Sequence, residues 1–322
     1  MFHTVLCDLL GIKYPIIQGA MGGKVAGPRL VAAVSNAGGL GVLASYGRTT
    51  RELREEIRQT RDMTDKPFGV NLFAGSLTFC QRVAELLVEE GVTIATTGRG
   101  DPTLSTVALL KQHKIKVMPV VPTVRHALRL EAEGADVIIA SGTEAGGHVG
   151  TVASLPLIPM VVDAVKVPVV AAGGIGDARG FVAALALGAC GIQMGTVFLA
   201  THEADTNALQ KQKLIEVSEE DTMPTTLFTG KPVRVIKTAG IEEWERLRRV
   251  GAPPEQLKSM AQVLQRKRDL ADDPHELTVT AGQIVGMIKK VVSVEELMGQ
   301  ILDEAQQICA RLGALAPLAS TR

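Results

Sequence analysis

One imidazole closes a run of glycines in the segment Ala140-Ser-Gly-Thr-Glu-Ala-Gly-Gly-His-Val-Gly150. The apolar residues 137–140 before it predict a strand buried on both faces, as in parallel α/β sheets whose chemistry gathers at the carboxyl ends of the strands. His148 then stands at the mouth of the fold, where an imidazole can take or give a proton near neutral pH. Other predicted strands also end in small residues: Gln18-Gly19-Ala20-Met21-Gly22-Gly23, Thr97-Gly98, Gly173-Gly174 and Gly195-Thr196. Glycine at such a place lets main-chain N–H groups approach an anion without a Cβ in the way. Glycine also ends strands for purely steric reasons, but Gly173-Gly174 and Gly195-Thr196 follow successive strands and together predict a phosphate site.

Two phosphate motifs fit poorly. The run Gly174-Ile-Gly176-Asp-Ala-Arg-Gly180 has the wrong spacing for a dinucleotide fingerprint, and the next strand offers Gln193 where an acidic residue is expected. Residues 19–24 lack the spacing and hydroxyl of a Walker A loop.

The elements that must position these residues follow from hydrophobic pattern. Apolar, β-branched runs fall at 15–18, 41–44, 68–73, 93–97, 116–121, 137–140, 167–172 and 191–195. Amphipathic segments at 51–62, 80–90, 102–113, 124–133 and 177–187 are long enough to return the chain for parallel pairing. Eight such units in about 200 residues predict an α/β fold, a (β/α)8 TIM barrel, rather than a doubly wound sheet. After residue 200 the pattern breaks. Residues 201–274 read as a polar, mostly helical insertion or lid, and 275–322 as a segment returning to the barrel with a closing helix at 294–312.

Composition narrows the function classes. With 322 residues, 46% hydrophobic and 21% charged, the chain can bury a barrel-sized core. Its 34 basic and 34 acidic residues balance, without a dense Lys/Arg run, which gives no support for nucleic acid or an anionic membrane as partner. A small-molecule substrate is expected. Cys7, Cys80, Cys190 and Cys309 form no C-x-x-C pair and the histidines no cluster at metal spacing, so no metal is expected and the thiols read as reduced and inert. Neither a leader-like N-terminus nor a run of roughly 18 apolar residues occurs, which makes the cytoplasm the expected location.

The set Pro15-Ile-Ile-Gln-Gly, Ser35-Asn-Ala-Gly-Gly-Leu-Gly41, Asp65-Lys-Pro-Phe-Gly-Val-Asn-Leu72, Glu144-Ala-Gly-Gly-His148, Val170-Ala-Ala-Gly-Gly-Ile175, Gln193-Met-Gly-Thr196 and Ala281-Gly-Gln283 resembles the nitronate monooxygenase family. That superfamily includes FMN-dependent enoyl-ACP reductase II enzymes and NAD(P)H:quinone reductases. The resemblance runs from about residue 4 to about residue 290 and makes residues 1–200 an FMN-binding barrel. It implies that Asn71 hydrogen-bonds the flavin ring, that Met21 and Gly22 line its other edge, and that Gly146 lies close to it. Gly173, Gly174, Gln193, Met194, Gly195 and Thr196 match phosphate and ring contacts, and Gln283 reaches the flavin from the C-terminal segment. Ser141 stands where relatives often carry Gln, Glu or Asp. Gly22-Gly23-Lys24 replaces an aromatic that reductase relatives often carry after the Met, implying a more open pocket.

The resemblance also makes His148 a general acid or base. It implies oxidation of an alkyl nitronate with O₂ to a carbonyl compound and nitrite. The alternatives are NAD(P)H-dependent reduction of an enoyl thioester, with an acyl carrier protein as partner, reduction of a quinone, or a non-catalytic flavin-binding protein. A homodimer stays among the partner options.

Overall fold

Eight barrel strands occupy the apolar runs in the computed structural model, which describes residues 2–22, 25–73, 76–98, 105–270 and 277–315. Gly23, Lys24, Pro102 and His275 therefore lie outside the described residues. In chain order the strands are β1 (Ile16–Gln18), β2 (Gly41–Ala44), β3 (Phe68–Leu72), β4 (Ile94–Thr97), β5 (Lys116–Val121), β6 (Ile138–Ser141), β7 (Gly147–His148), β8 (Val169–Ala172), β9 (Gly191–Met194), β10 (Thr222–Thr225) and β11 (Val233–Ile236). The barrel order is β1-β9-β8-β6-β5-β4-β3-β2, every pair parallel. A parallel bridge between Ile17 and Leu40 closes the ring, with Gln18 N–H donating to Leu40 O at 2.9 Å and Leu40 N–H to Ile16 O at 2.9 Å. The protein is a (β/α)8 barrel.

Burial explains why these runs lack polar alternation. All four residues of β2, of β6 and of β8 are buried, because one strand face fills the barrel and the other meets the helices. Ile17, Val42, Ile94, Met118, Ile139 and Val170 pack inside, and Leu6 and Leu10 of the helix Val5–Leu10 join the same cluster. Burying a leucine as fully as Leu6 contributes about 1.5–3 kcal/mol.

The amphipathic segments become helices Thr50–Met63, Leu77–Glu89, Ser105–Gln112, Val124–Ala132 and Ala178–Ala186. Thr49 and Glu52 form a capping box on the first, and Asp177 caps the last through the N–H groups of Arg179 and Gly180. Two barrel helices, Pro28–Asn36 and Ser154–Ala164, answer to no predicted segment. The second contains Pro159, which normally argues against a helix interior.

Residues 201–274 hold more than helices. Helix Ala208–Glu216 is followed by the antiparallel pair β10 and β11 and by helices Ala239–Arg249 and Pro254–Leu270. Leu227, Val233, Val235, Ile241 and Trp244 give this part its own small core. β11 also pairs antiparallel with β7, setting Val233 opposite His148 and Arg234 opposite Gly147. The C-terminal helix Val294–Leu315 packs on helices Ala178–Ala186 and Pro28–Asn36, burying Met298 and Ile301.

Candidate active site

The carboxyl ends of the barrel strands open into a cavity of about 550 Å³, within the usual range for small-molecule sites. Of the residues singled out in the sequence, Met21, Gly22, Asn71, Ser141, Gly146 and His148 line it. So do Gly173, Gly174, Gln193, Met194, Gly195 and Thr196. Gln283 does not. A 3-10 turn, Gln283–Met287, starts there and leaves its side chain exposed, while Gly282 and Ile284 line the cavity. The N–H of Gln283 donates instead to Glu144 O at 2.9 Å.

Several glycines are explained by close approach. A Cβ on Gly282 would stand 2.6 Å from Glu144 O, and one on Gly146 would stand 2.8 Å from the Ala281 carbonyl carbon, so the two backbones cross in contact. Gly195 differs: the nearest atoms to a Cβ there are Met21 Sδ at 3.8 Å and Met21 Cγ at 3.9 Å. No protein packing demands glycine at that position, yet it faces the cavity. Gly174 has φ +73°, which a side chain would strain.

The polar groups are held from outside the cavity. Asn71 Nδ2 donates to Thr96 Oγ1 at 2.8 Å across the β3–β4 register, leaving the carboxamide oxygen as an acceptor at the wall. Gly19 leaves room for Gln193, whose Cδ would lie 3.1 Å from a Cβ at 19. Thr196 Oγ1 accepts from Gly282 N–H at 2.9 Å, and its own proton is available to another acceptor. Thr97 Oγ1 and Thr206 Oγ1 are buried without a partner among the described residues, and both threonines line the cavity.

These features fit FMN. Gly174 and Gly195, just beyond the ends of the adjacent strands β8 and β9, leave a cradle that a Cβ would fill, next to the first N–H groups of helix Thr196–Leu199. Asn71, Gln193 and the two unpartnered threonines supply polar atoms along a largely apolar wall.

Charge at the site is sparse. Among the described lining residues the ionisable ones are Tyr46, Glu144, His148 and Lys231. Glu144 is committed to the helix Ser154–Ala164, accepting from Ser154 N–H at 2.9 and 3.0 Å and from Ser154 Oγ at 3.0 Å. Burial pushes the nearby Arg234 guanidinium below its ordinary value, while Glu144 opposes the shift. Arg234 donates to Thr143 O at 3.1 Å and Thr222 Oγ1 at 3.0 Å, tying β11 to the glycine loop. His148 Nε2 lies 3.0 Å from Thr229 Oγ1.

Residues 201–274 contribute Thr206, Gln210, Phe228, Thr229, Lys231 and Val233 to the wall. No local sequence signal marks them, since their place depends on a hairpin that returns to a loop some 80 residues earlier.

A family profile described as nitronate monooxygenase matches residues 3–304. Over 332 aligned residues, covering 90% of this chain and 95% of the relative, the sequence is 33% identical to a probable nitronate monooxygenase of Bacillus subtilis strain 168. It is 44% identical over 236 residues to a Rhodococcus jostii strain RHA1 protein named (3aS,4S,5R,7aS)-5-hydroxy-7a-methyl-1-oxo-octahydro-1H-indene-4-carboxyl-CoA dehydrogenase. That match covers 73% of this chain and 66% of the relative, just under two thirds of the latter's length. Among solved structures, FabK from Thermotoga maritima superposes with a TM-score of 0.90 at 36% identity, covering 98% of this chain and 100% of that one. The chain belongs to the nitronate monooxygenase family.

Proposed function

We propose that this protein is an FMN-dependent oxidoreductase that oxidises alkyl nitronates with O₂ to a carbonyl compound and nitrite. The observation that carries the reading is the meeting of one imidazole, His148, with an open glycine cradle in a single cavity of a nitronate monooxygenase-family barrel. Bound FMN supplies the electron acceptor for the substrate and the route of those electrons to O₂. Gly174, Gly195 and Thr196 hold the phosphate end. Asn71 and Gln193 would offer polar partners to the ring, Met21, Gly22, Gly146, Ser141 and Met194 would line the space around it, and Gly173 would join the phosphate end.

His148 removes the α-proton of a neutral nitroalkane, or holds the oxyanion of a nitronate that has already lost that proton. Lys231, exposed at the cavity, adds a positive charge suited to an anionic substrate. Residues 201–274 act as a lid that shapes the substrate space, with residues 1–200 as the flavin barrel and 275–322 closing it. With propyl-2-nitronate and O₂ the FMN-loaded protein should form nitrite in step with oxygen uptake. No nitrite from any alkyl nitronate would overturn the reading.

A second reading is oxidoreduction on an acyl thioester with NAD(P)H. It is supported by the 44% identity to a protein named as a dehydrogenase of a hydroxylated indene-carboxyl-CoA and by the likeness to FabK. Under it an acyl carrier protein or coenzyme A presents the substrate, and turnover of an enoyl thioester with NADH or NADPH identifies it.

A further inference from the structure

We propose that Thr229 is a positioning residue for His148, so that the insertion enters the reaction through one hydroxyl. The inference rests on the acid–base role given to His148 above. Main-chain ties fix where the His148 backbone sits: β7 pairs with β11 through Val233 and Arg234, and Val149 N–H donates to Pro232 O at 3.0 Å. Those ties set the backbone, and the orientation of the imidazole depends on what its ring nitrogens meet. The contact of Nε2 with Thr229 Oγ1 at 3.0 Å restrains the ring directly.

Thr229 is itself held. Its hydroxyl donates toward Lys231 O at 3.3 Å and accepts from Lys231 N–H at 3.4 Å, across a turn in which Gly230 has φ +70°. No heavy atom comes within 4 Å of a Cβ built on Gly230, so glycine is needed there for its conformation and not for space. The turn thus presents the hydroxyl from a fixed place.

A hydroxyl suits a ring that gains and loses a proton. It has one proton and two acceptor positions. When Nε2 carries hydrogen, Thr229 Oγ1 accepts it and sends its own proton to Lys231 O; when Nε2 is bare, the hydroxyl donates to it. The ring can therefore keep one orientation in both protonation states, which a one-way donor or acceptor does not allow. Thr229 is exposed, so it has little packing role to confuse the test.

The experiment compares Thr229→Val, Thr229→Ser, His148→Ala and the double variant His148→Ala/Thr229→Val as FMN-loaded full-length proteins. Steady-state kcat and KM are measured on a neutral nitroalkane and, in parallel, on an enoyl thioester with NADH and NADPH. The substrate that wild type turns over supplies the comparison. Thr229→Val should lower kcat by about 10–100-fold, as misplacement of a reacting group does, with KM and FMN content unchanged. Thr229→Ser should restore most of the rate, and Thr229→Val should cost nothing further in the His148→Ala background. Wild-type kcat in Thr229→Val, beside an impaired His148→Ala, overturns this inference alone. An equal loss in the His148→Ala background overturns it too, since Thr229 then acts by another route. Wild-type rates in His148→Ala overturn the acid–base reading together with the inference.

Discussion

Replacing Gly195 by valine is expected to empty the FMN site while leaving the barrel folded. Gly195 precedes helix Thr196–Leu199 with φ −124°, outside the left-handed region that favours glycine, and the nearest atoms to its ideal Cβ are those of Met21 at 3.8 and 3.9 Å. The fold therefore loses only the preference of a helix cap for glycine over a β-branched residue, on the order of 1 kcal/mol. FMN loses much more, because three carbons now occupy the cradle assigned to its phosphate. A phosphate displaced from two or three N–H donors costs about 3 kcal/mol or more, which is at least a hundredfold in Kd. Gly174→Val is a poorer test, since the residue's φ of +73° strains any side chain and the fold suffers as well.

The assay is the ratio of FMN to protein after release by denaturation, Kd from titration of the apoprotein, and Tm to certify folding. Gly195→Ala should fall between wild type and valine. Full FMN occupancy in Gly195→Val, with a native Tm, would refute the placement of the phosphate.

Four further outcomes follow from the same geometry. His148→Ala should keep FMN and lose about 10²–10⁴-fold in kcat/KM on a neutral nitroalkane, with a far smaller loss on the preformed nitronate; equal small losses on both would remove its role as a base. Lys231→Gln should raise KM for the anionic nitronate several-fold without changing FMN content, and the difference from wild type should shrink as salt is added, since an exposed charge is screened. Glu90 is hydrogen-bonded by Arg58 and flanked by Arg54 and Arg61, which hold its carboxyl below the usual carboxylate range. Its contribution is present above the unfolded-state pKa and lost as pH falls through the lowered folded value, so Glu90→Gln should depress Tm at neutral pH and matter little in strong acid. Burial pushes the Cys190 thiol up to about 11, so an alkylating agent at mildly alkaline pH should label exposed Cys309 and spare Cys190, as mass spectrometry of the native protein will read.

How much of this was legible in the sequence depends on how local each signal is. The eight barrel strands were visible because a strand buried on both faces is a continuous apolar run, as in Ile138–Ser141 and Val169–Ala172. The hairpin β10–β11 was not, because Thr222–Thr225 contains Pro224 and Val233–Ile236 contains a buried Arg234, which break the strand pattern. Helix Ser154–Ala164 hid behind its internal Pro159.

Residues at strand ends, such as Asn71, Gly174, Gln193 and Gly195, could be placed because strand and loop are neighbours in sequence. Gln283 could not, since its side-chain direction is set by the 3-10 turn that begins there. Thr229 lies 81 residues from His148, and only the pairing of β11 with β7 brings the two together.

Anaerobic stopped-flow absorbance of the FMN-loaded protein tests the central claim most directly. Mixed with propyl-2-nitronate, the flavin band should bleach at a rate no slower than turnover, and added O₂ should restore it with release of nitrite. A flavin untouched by the nitronate, but bleached rapidly by NADH or NADPH and restored by an enoyl thioester, would contradict the account and assign the site to thioester reduction.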